Sequence, residues 1–151
     1  MNILPDTDPL LRRVCAEVTP DTWPTKALLK EMHALRTAAK GAGLAAPQVG
    51  LLQRFVIVDP QYCPSLLLGC LINPRIVCSG PETCIDIEGC LSSGTRRERI
   101  ERYKAVEVEF TTFGGYTVRR FFYKFASRLI QHEIDHLSGI LFTDHLNGDL
   151  T

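Results

Sequence analysis

The sequence lacks an excess of charge of either sign and lacks any long hydrophobic run. Seventeen Lys and Arg residues balance seventeen Asp and Glu residues, so the formal net charge is zero. Because phosphate binding needs an excess of basic side chains on one face, this balance argues against a protein that binds nucleic acids. The longest apolar stretch, 66–72, is interrupted by Gly69 and is too short to cross a membrane. We therefore expect no direct binding to nucleic acids or membranes.

A secretory signal and a C-x-x-C motif are also missing. The N-terminus, 1–6, has no basic segment followed by an apolar run. The six cysteines show no metal-finger spacing, and the chain is longer than the small secreted domains that depend on disulfides. We expect reduced thiols in a cytoplasmic protein, five of them buried as small apolar residues. Since neither a repeat nor a linker divides the chain, residues 1–151 are expected to form a single domain.

Hydrophobic periodicity predicts one early helix, one late helix and several short strands. The early helix follows Pro24 and ends at Gly41, and the late helix spans 125–137. The strands are predicted at 54–58, 66–72, 75–78, 103–110 and 116–122, the last two forming a hairpin. The charged run 96–102 has mixed sign and is predicted to be a solvated strand face. This pattern indicates an α+β fold with mainly antiparallel β-sheet.

The late helix contains the segment His132-Glu133-Ile134-Asp135-His136, an H-E-x-x-H motif. Residues four apart lie on one face of a helix, so both imidazoles can bind one metal ion with Glu133 beside it as a proton carrier. The alternative is a pair of surface histidines with a solvated glutamate. The flanking residues are apolar, and two histidines and a glutamate facing a core are costly to bury without a purpose. We therefore favour a metal site.

The third ligand of this site is not evident in the helix. A catalytic site of this type usually has three protein ligands and a fourth position for water. Zincin peptidases take the third ligand from downstream, but His145 lies nine residues beyond His136, whereas the long metzincin motif needs a histidine six beyond. The third ligand is therefore expected upstream.

Two upstream segments complete a pattern. The segment 41–50, G-A-G-L-A-A-P-Q-V-G, is rich in small residues, and 88–92, E-G-C-L-S, places a cysteine behind a glycine. Either alone is compatible with a plain turn or a buried thiol. Together with Q-H-E-x-D-H-L at 131–137, they resemble the three signature motifs of the peptide deformylases, in that family's order and spacing. The resemblance covers nearly the whole chain, and the end at Thr151 corresponds to the short form of the family, which lacks the C-terminal helix.

The resemblance implies a set of metal ligands and a fold. Cys90, His132 and His136 would bind one divalent metal ion, which in the family is Fe(II) in cells, while Zn(II), Ni(II) or Co(II) can occupy the same site. A thiolate with two imidazoles suits zinc at least as well as iron, so the expectation of Fe(II) rests on the resemblance alone. The implied architecture has antiparallel sheets packed around a central helix that carries the H-E-x-x-H motif, plus an N-terminal helix.

The implied reaction removes the formyl group from the N-terminal methionine of a new polypeptide and releases formate. Glu133 would accept a proton from the attacking water and later protonate the departing amine. The amide of Gln48 and the backbone N–H of Leu91 would stabilise the charge on the carbonyl oxygen, together with the metal. The expected partners are formyl-methionyl nascent peptides, met at the ribosome. We expect a monomer in the bacterial cytoplasm, or in the host cytoplasm for a phage-encoded protein.

Four residues are candidates for substrate binding. Gly43 and the backbone around Gly89 are expected to pair with the substrate main chain as an added strand, since glycine allows close approach. Phe125 and Leu129 precede the motif on the same side of the helix and are candidates for the wall of the methionine pocket. The alternative for these two is an ordinary core position.

The matched positions also suggest supporting residues and departures from the family pattern. Glu88, Arg102 and Asp135 are candidates for contacts that orient the metal ligands, with surface ion pairs as the alternative. Most family members continue after Ser92 with an apolar residue and then Pro or a similar residue, whereas this chain has Ser93-Gly94-Thr95, so its preference beyond the methionine is open. Lys124 stands where a glycine usually opens the helix.

Two other functions are compatible with parts of the sequence. A zincin-type metallopeptidase explains the H-E-x-x-H motif but leaves Gln48 and Cys90 without roles. A non-catalytic paralogue that keeps the metal explains the ligands. It is disfavoured because a purely structural site needs neither a base nor an oxyanion donor.

Overall fold

A five-stranded sheet and a two-stranded sheet pack against one buried helix in the computed structural model, which describes residues 1–64 and 66–146. The helices are α1 (Lys26–Ala38) and α2 (Lys124–Leu137). The strands are β1 Gly43–Ala45, β2 Phe55–Val58, β3 Cys70–Ser79, β4 Thr83–Gly89, β5 Arg97–Tyr103, β6 Ala105–Thr112 and β7 Thr117–Tyr123. The larger sheet has the order β1-β2-β3-β6-β7, β4 pairs with β5, and every strand pair is antiparallel. The predicted α+β fold is confirmed. The expected domain 1–151 includes 147–151, which lie outside the described residues.

The helix α2 is the centre of the packing, because ten of its fourteen residues are buried. Its apolar side chains, such as Ile130 and Leu137, join one core cluster with the inner face of the larger sheet. Its polar side carries His132, Glu133 and His136, which are all at most 7% exposed. Burying such groups costs free energy unless they have partners, so the polar side of this helix must be supported by its neighbours.

The strand β2 is buried on both faces, which explains its uninterrupted apolar sequence. Phe55 and Ile57 belong to the core cluster that includes Met32 of α1. Val56 and Val58 belong to the cluster that includes α2. The two helices therefore pack on opposite faces of the same strand, and α1 fixes the chain that leads into β1.

The prediction of two strands at 66–72 and 75–78 was wrong, because β3 runs without a break through Asn73-Pro74. Asn73 has a φ of 50°, and the pairing with β6 shifts register at this point, so the dipeptide forms a bulge. The Asn73 amide makes hydrogen bonds of 2.8 and 2.9 Å with the main chain of Val18, which anchor the bulge. Leu67–Gly69, predicted as strand, forms a 3-10 turn.

The charged run 96–102 coincides with β5, but its predicted solvation was only partly right. Arg102 is 5% exposed and Ile100 is 1% exposed, so one face of this strand is buried. The strands β1 and β4 were not predicted. Three residues in a glycine-rich segment give no periodic signal, and β4 carries Ile85 and Ile87 on an exposed face.

The cysteines are free thiols, as predicted. The expectation that five of the six are buried for packing was wrong, since Cys78 and Cys84 are exposed. Both lie on strands whose outer faces are open to solvent.

Across 1–64 and 66–146, no helix combines the length and apolarity needed to span a membrane.

Lys124 begins α2 in the left-handed region, with a φ of 53°. A residue with a Cβ pays about 1–2 kcal/mol in this conformation, and glycine does not. We expect Lys124→Gly to raise the free energy of unfolding by about 1 kcal/mol, measured by urea denaturation. The matched control is Lys30→Gly, exposed within α1, which should lower it by about 1 kcal/mol. A less stable Lys124→Gly protein contradicts the strain argument.

Candidate metal centre

The three residues expected to bind the metal come together where β4 ends and α2 passes over it. Cys90 follows β4 directly, and His132 and His136 lie one turn apart on α2. Their ligand atoms all lie within 4.8 Å of one another, and all three residues are buried. The Sγ of Cys90 is 3.2 Å from Nε2 of His136, and the two imidazole centroids are 4.9 Å apart. The helix supplies two ligands and the strand supplies the third.

This donor set fits one divalent cation. A thiolate with two imidazoles suits a tetrahedral site in which a fourth position is free for water or substrate. The Nδ1 of His132 is hydrogen-bonded to Glu88 at 2.7 Å, which leaves Nε2 as its ligand nitrogen. Burial, together with the charge of Arg102, holds the pKa of His136 well below its ordinary value. His136 is therefore neutral, as a metal ligand must be.

Glu133 is 3% exposed and lies beside this group. Its Oε2 is buried and has no hydrogen-bond partner among residues 1–64 and 66–146. Its Oε1 lies so close to Gly43 that a Cβ on the glycine would collide with it. Burial raises the pKa of Glu133 to about 7. A carboxyl group with this pKa can both take up and return a proton near neutral pH.

Glu88, Arg102 and Asp135 form a network of ions behind His132. Glu88 Oε1 accepts hydrogen bonds from His132 and from Arg102, both at 2.7 Å, and Arg102 also contacts Asp135 at 2.5 Å. Burial disfavours the charge on Glu88, but the bonds from His132 and Arg102 outweigh it and hold the pKa far below its ordinary value. His145, excluded as a ligand by its spacing, contacts Asp135 at 2.8 Å. With side chains of Glu88 and Arg102 at most 5% exposed, these are not surface pairs.

Arg128 belongs to the same network, and the sequence analysis missed it. Its Nη1 donates to Glu88 Oε2 and to the carbonyl of Ile100, both at 2.9 Å, and its Nη2 donates to the carbonyl of Cys84 at 2.7 Å. It therefore ties α2 to both β4 and β5. The available signal was its position four residues before His132, which places both side chains on one face of the helix.

Gln48 has a fixed orientation beside the metal ligands. Its Oε1 accepts the N–H of Ala45 at 2.9 Å, so its Nε2 points the other way, toward Cys90 Sγ at 3.4 Å and Ser92 Oγ at 3.1 Å. Leu91 opens a 3-10 turn immediately after Cys90. The amide group and this turn thus border the cysteine from two sides.

The four expected substrate-binding residues line one cavity of about 390 Å³, which also exposes parts of the metal site. Phe125 is 49% exposed and packs against Tyr62, with ring centroids 4.9 Å apart and the ring planes tilted by 49°. Leu129 is 7% exposed and is also a member of the main core cluster. Gly43 and Gly89 lie on the walls of the cavity, and the side chain of Arg97 covers the Cα of Gly89.

Comparison with known proteins gives one consistent result. The family model described as polypeptide deformylase matches residues 1–150. A peptide deformylase of Finegoldia magna is 38% identical over 92% of this chain and 85% of its own length. The crystal structure of peptide deformylase from Thermotoga maritima superposes with a TM-score of 0.86 at 36% identity, covering 95% of each chain. A class I type b peptide deformylase from Acinetobacter baumannii, solved with Met-Ala-Ser bound, gives 0.83 at 33% identity, covering 96% of this chain and 97% of that one.

The ligand assignment predicts that the chain binds one equivalent of Co(II) with a thiolate-to-metal absorption band. Replacing Cys90 by Ala should remove that band, and replacing either Cys90 or His132 by Ala should weaken binding by more than about 100-fold, because losing a ligand costs more than losing a supporting contact. Absorbance titration in competition with a chelator measures this. The control is Cys84→Ala, an exposed cysteine on β4. Wild-type affinity in Cys90→Ala contradicts the assignment.

Proposed function

The chain belongs to the polypeptide deformylase family, and we propose that Glu133 is the carboxylate through which it acts. The enzyme is a metal-dependent hydrolase that removes the formyl group from the N-terminal methionine of newly synthesised polypeptides and releases formate. The observation that carries the role of Glu133 is its position. It is buried beside His132, and its Oε2 has no protein partner in the described part of the chain.

Cys90, His132 and His136 are the residues that hold the metal ion, and we expect Fe(II) in the cell. When bound, a divalent cation supplies Lewis-acid chemistry, lowering the pKa of a water molecule and polarising the formyl carbonyl. Zn(II), Ni(II) and Co(II) suit the same donors, so the choice of Fe(II) follows the family and not the geometry. Glu88, with Arg102 and Asp135 behind it, orients His132 for this task.

Glu133 moves the proton. Its Oε2 is the atom positioned to accept a proton from the attacking water, and the pKa of about 7 allows the carboxyl group to return it afterwards. The nitrogen of the methionine becomes basic as the formyl carbon–nitrogen bond breaks, and Glu133 protonates it there. Oε1 rests against Gly43, so the carboxylate has little freedom to turn away between these two events.

Gln48 and Leu91 stabilise the negative charge on the carbonyl oxygen. Because Gln48 Oε1 is engaged by Ala45, its Nε2 is held on the side of Cys90 and Ser92, where Gln48 lines the cavity. The N–H of Leu91 is the backbone donor nearest the metal ligand Cys90 in the chain. Two fixed donors that need no reorganisation during the reaction are typical of an oxyanion hole.

The substrate enters the cavity bordered by β1 and β4. The backbones of Gly43 and Gly89 offer main-chain groups for an added strand, and Phe125 and Leu129 offer an apolar wall for the methionine side chain. That a relative from Acinetobacter baumannii was solved with Met-Ala-Ser bound supports a peptide ligand. We further propose one catalytic domain over 1–151, monomeric, acting on nascent chains at the ribosome in the cytoplasm.

Formate release decides between this function and its rivals. Protein loaded with Ni(II) or Co(II) is incubated with formyl-Met-Ala-Ser, and formate is assayed; we expect steady release. Glu133→Ala should lower the rate by about 10²- to 10⁴-fold while metal content persists, because only the proton carrier is lost. The control is Glu109→Ala. Glu109 pairs with Arg75 and Arg119 outside the cavity, so this variant should keep full activity.

Three results would count against the proposal. Cleavage of unformylated peptides without formate favours a zincin-type metallopeptidase, and metal binding without any turnover favours a non-catalytic paralogue. Full activity in Glu133→Ala rejects the role of Glu133 and leaves the family assignment intact.

A further inference from the structure

The helix α1 ends in a Schellman motif that leads directly into the cavity wall. The N–H of Lys40 donates to the carbonyl of Thr37 at 3.0 Å, and the N–H of Gly41 donates to the carbonyl of Arg36 at 2.9 Å. Lys40 takes the left-handed conformation that this motif needs, with a φ of 57°. The backbone that follows, 41–43, is therefore aimed by the end of a helix and does not form a free loop.

The side chain of Arg36 closes on the same backbone. Its Nη1 donates to the carbonyl of Gly41 at 2.5 Å and to Asp59 Oδ2 at 2.9 Å. The N–H of Asp59 in turn donates to the carbonyl of Ala42 at 2.7 Å. Arg36 and Asp59 thus bind three main-chain groups of the segment: the N–H and the carbonyl of Gly41 and the carbonyl of Ala42.

The inner side of this segment contacts the residues assigned to the chemistry. A Cβ on Gly41 would collide with the side chain of Leu91, and a Cβ on Gly43 would collide with Glu133. Both glycines therefore lie in direct contact with these residues. Because no free space separates the backbone 41–43 from these side chains, a displacement of this backbone must also displace Glu133 or Leu91.

Burying Arg36 has a cost that the fold alone does not explain. Arg36 is 5% exposed, and its Nε is buried without a partner among the described residues. An unsatisfied buried donor costs about 1–3 kcal/mol, and an apolar side chain at this position of α1 would avoid the penalty. The pKa of Asp59 is lowered by the hydrogen bond from Gln61 and by the facing guanidinium, so the partner of Arg36 is charged.

We propose that Arg36 is a positioning residue of this enzyme: with Asp59 it holds the backbone 41–43 in the place that keeps Glu133 and Leu91 aligned for deformylation. The inference rests on the proposed function, because it acts through Glu133 and Leu91. Arg36 touches neither the metal ligands nor the cavity, so its loss should leave metal binding unchanged.

Hydrogen exchange measured by NMR tests, without reference to activity, whether Arg36 and Asp59 hold the backbone 41–43 in place. In Arg36→Met, we expect the amide of Asp59, which donates to Ala42, to exchange at least about tenfold faster, because its acceptor loses support. The amide of Ile57, in the centre of β2, should be unchanged. Unchanged exchange at the amide of Asp59 means that Arg36 does not hold this backbone, and it overturns the inference.

Kinetics with formyl-Met-Ala-Ser test the positioning role. Arg36→Met should lower kcat by about tenfold or more, because small misplacements of reacting groups are costly, and KM and Co(II) content should change little. Arg36→Lys keeps a charged donor and should recover part of kcat. The matched control is Arg54→Met, since Arg54 also donates to main-chain carbonyls, those of Leu137 and Pro74, but these two residues do not line the cavity as Gly41 does. It should keep wild-type kcat.

Each outcome is decisive. Wild-type kcat in folded, metal-loaded Arg36→Met overturns the inference and leaves the function standing, as does a fall in kcat matched by an equal loss of metal. A wild-type chain that releases no formate overturns both. If Arg36→Met does not fold, Arg36→Lys and Asp59→Asn replace it in the same comparison, and wild-type kcat in both overturns the inference.

Discussion

The buried carboxylate of Glu88 is the interaction on which the rest of the site depends. It accepts hydrogen bonds from His132, Arg102 and Arg128, which come from α2 and β5, while Glu88 itself lies on β4 two residues before Cys90. The strand that carries one metal ligand is thereby fixed to the helix that carries the other two. An isolated carboxylate could not be buried here, and removing one partner of such a network typically costs about 3–5 kcal/mol.

The same requirement explains the packing of the whole chain. A helix whose polar side is buried needs partners on that side and apolar cover on the other, and the two sheets supply them separately. The larger sheet packs on Ile130 and Leu137, and the smaller sheet supplies ions and carbonyl groups. The contact between β1 and α2 requires a glycine. Gly43 has no side chain and so leaves room for the carboxylate of Glu133, which any side chain at that position would displace.

Sequence reasoning predicted the parts that follow local rules. The helical period alone placed His132 and His136 on one face, and alternation predicted β6 and β7. Cys90 required the family resemblance, because no local pattern links a cysteine after a strand to a helix 42 residues later, the separation of Cys90 from His132. Arg128 and Arg36 were missed because arginines are usually solvated, and only tertiary packing decides which of them are buried.

The Co(II) affinity of Glu88→Gln tests most directly whether this carboxylate organises the metal centre. The substitution keeps the shape of the side chain at position 88 and removes the negative charge that orients His132. We predict affinity about 10- to 100-fold weaker than wild type in a protein that remains folded, and unchanged affinity in Glu98→Gln, its cross-strand neighbour. If folded Glu88→Gln binds Co(II) with an affinity within about twofold of wild type, the loss is much smaller than predicted and the carboxylate does not organise the site.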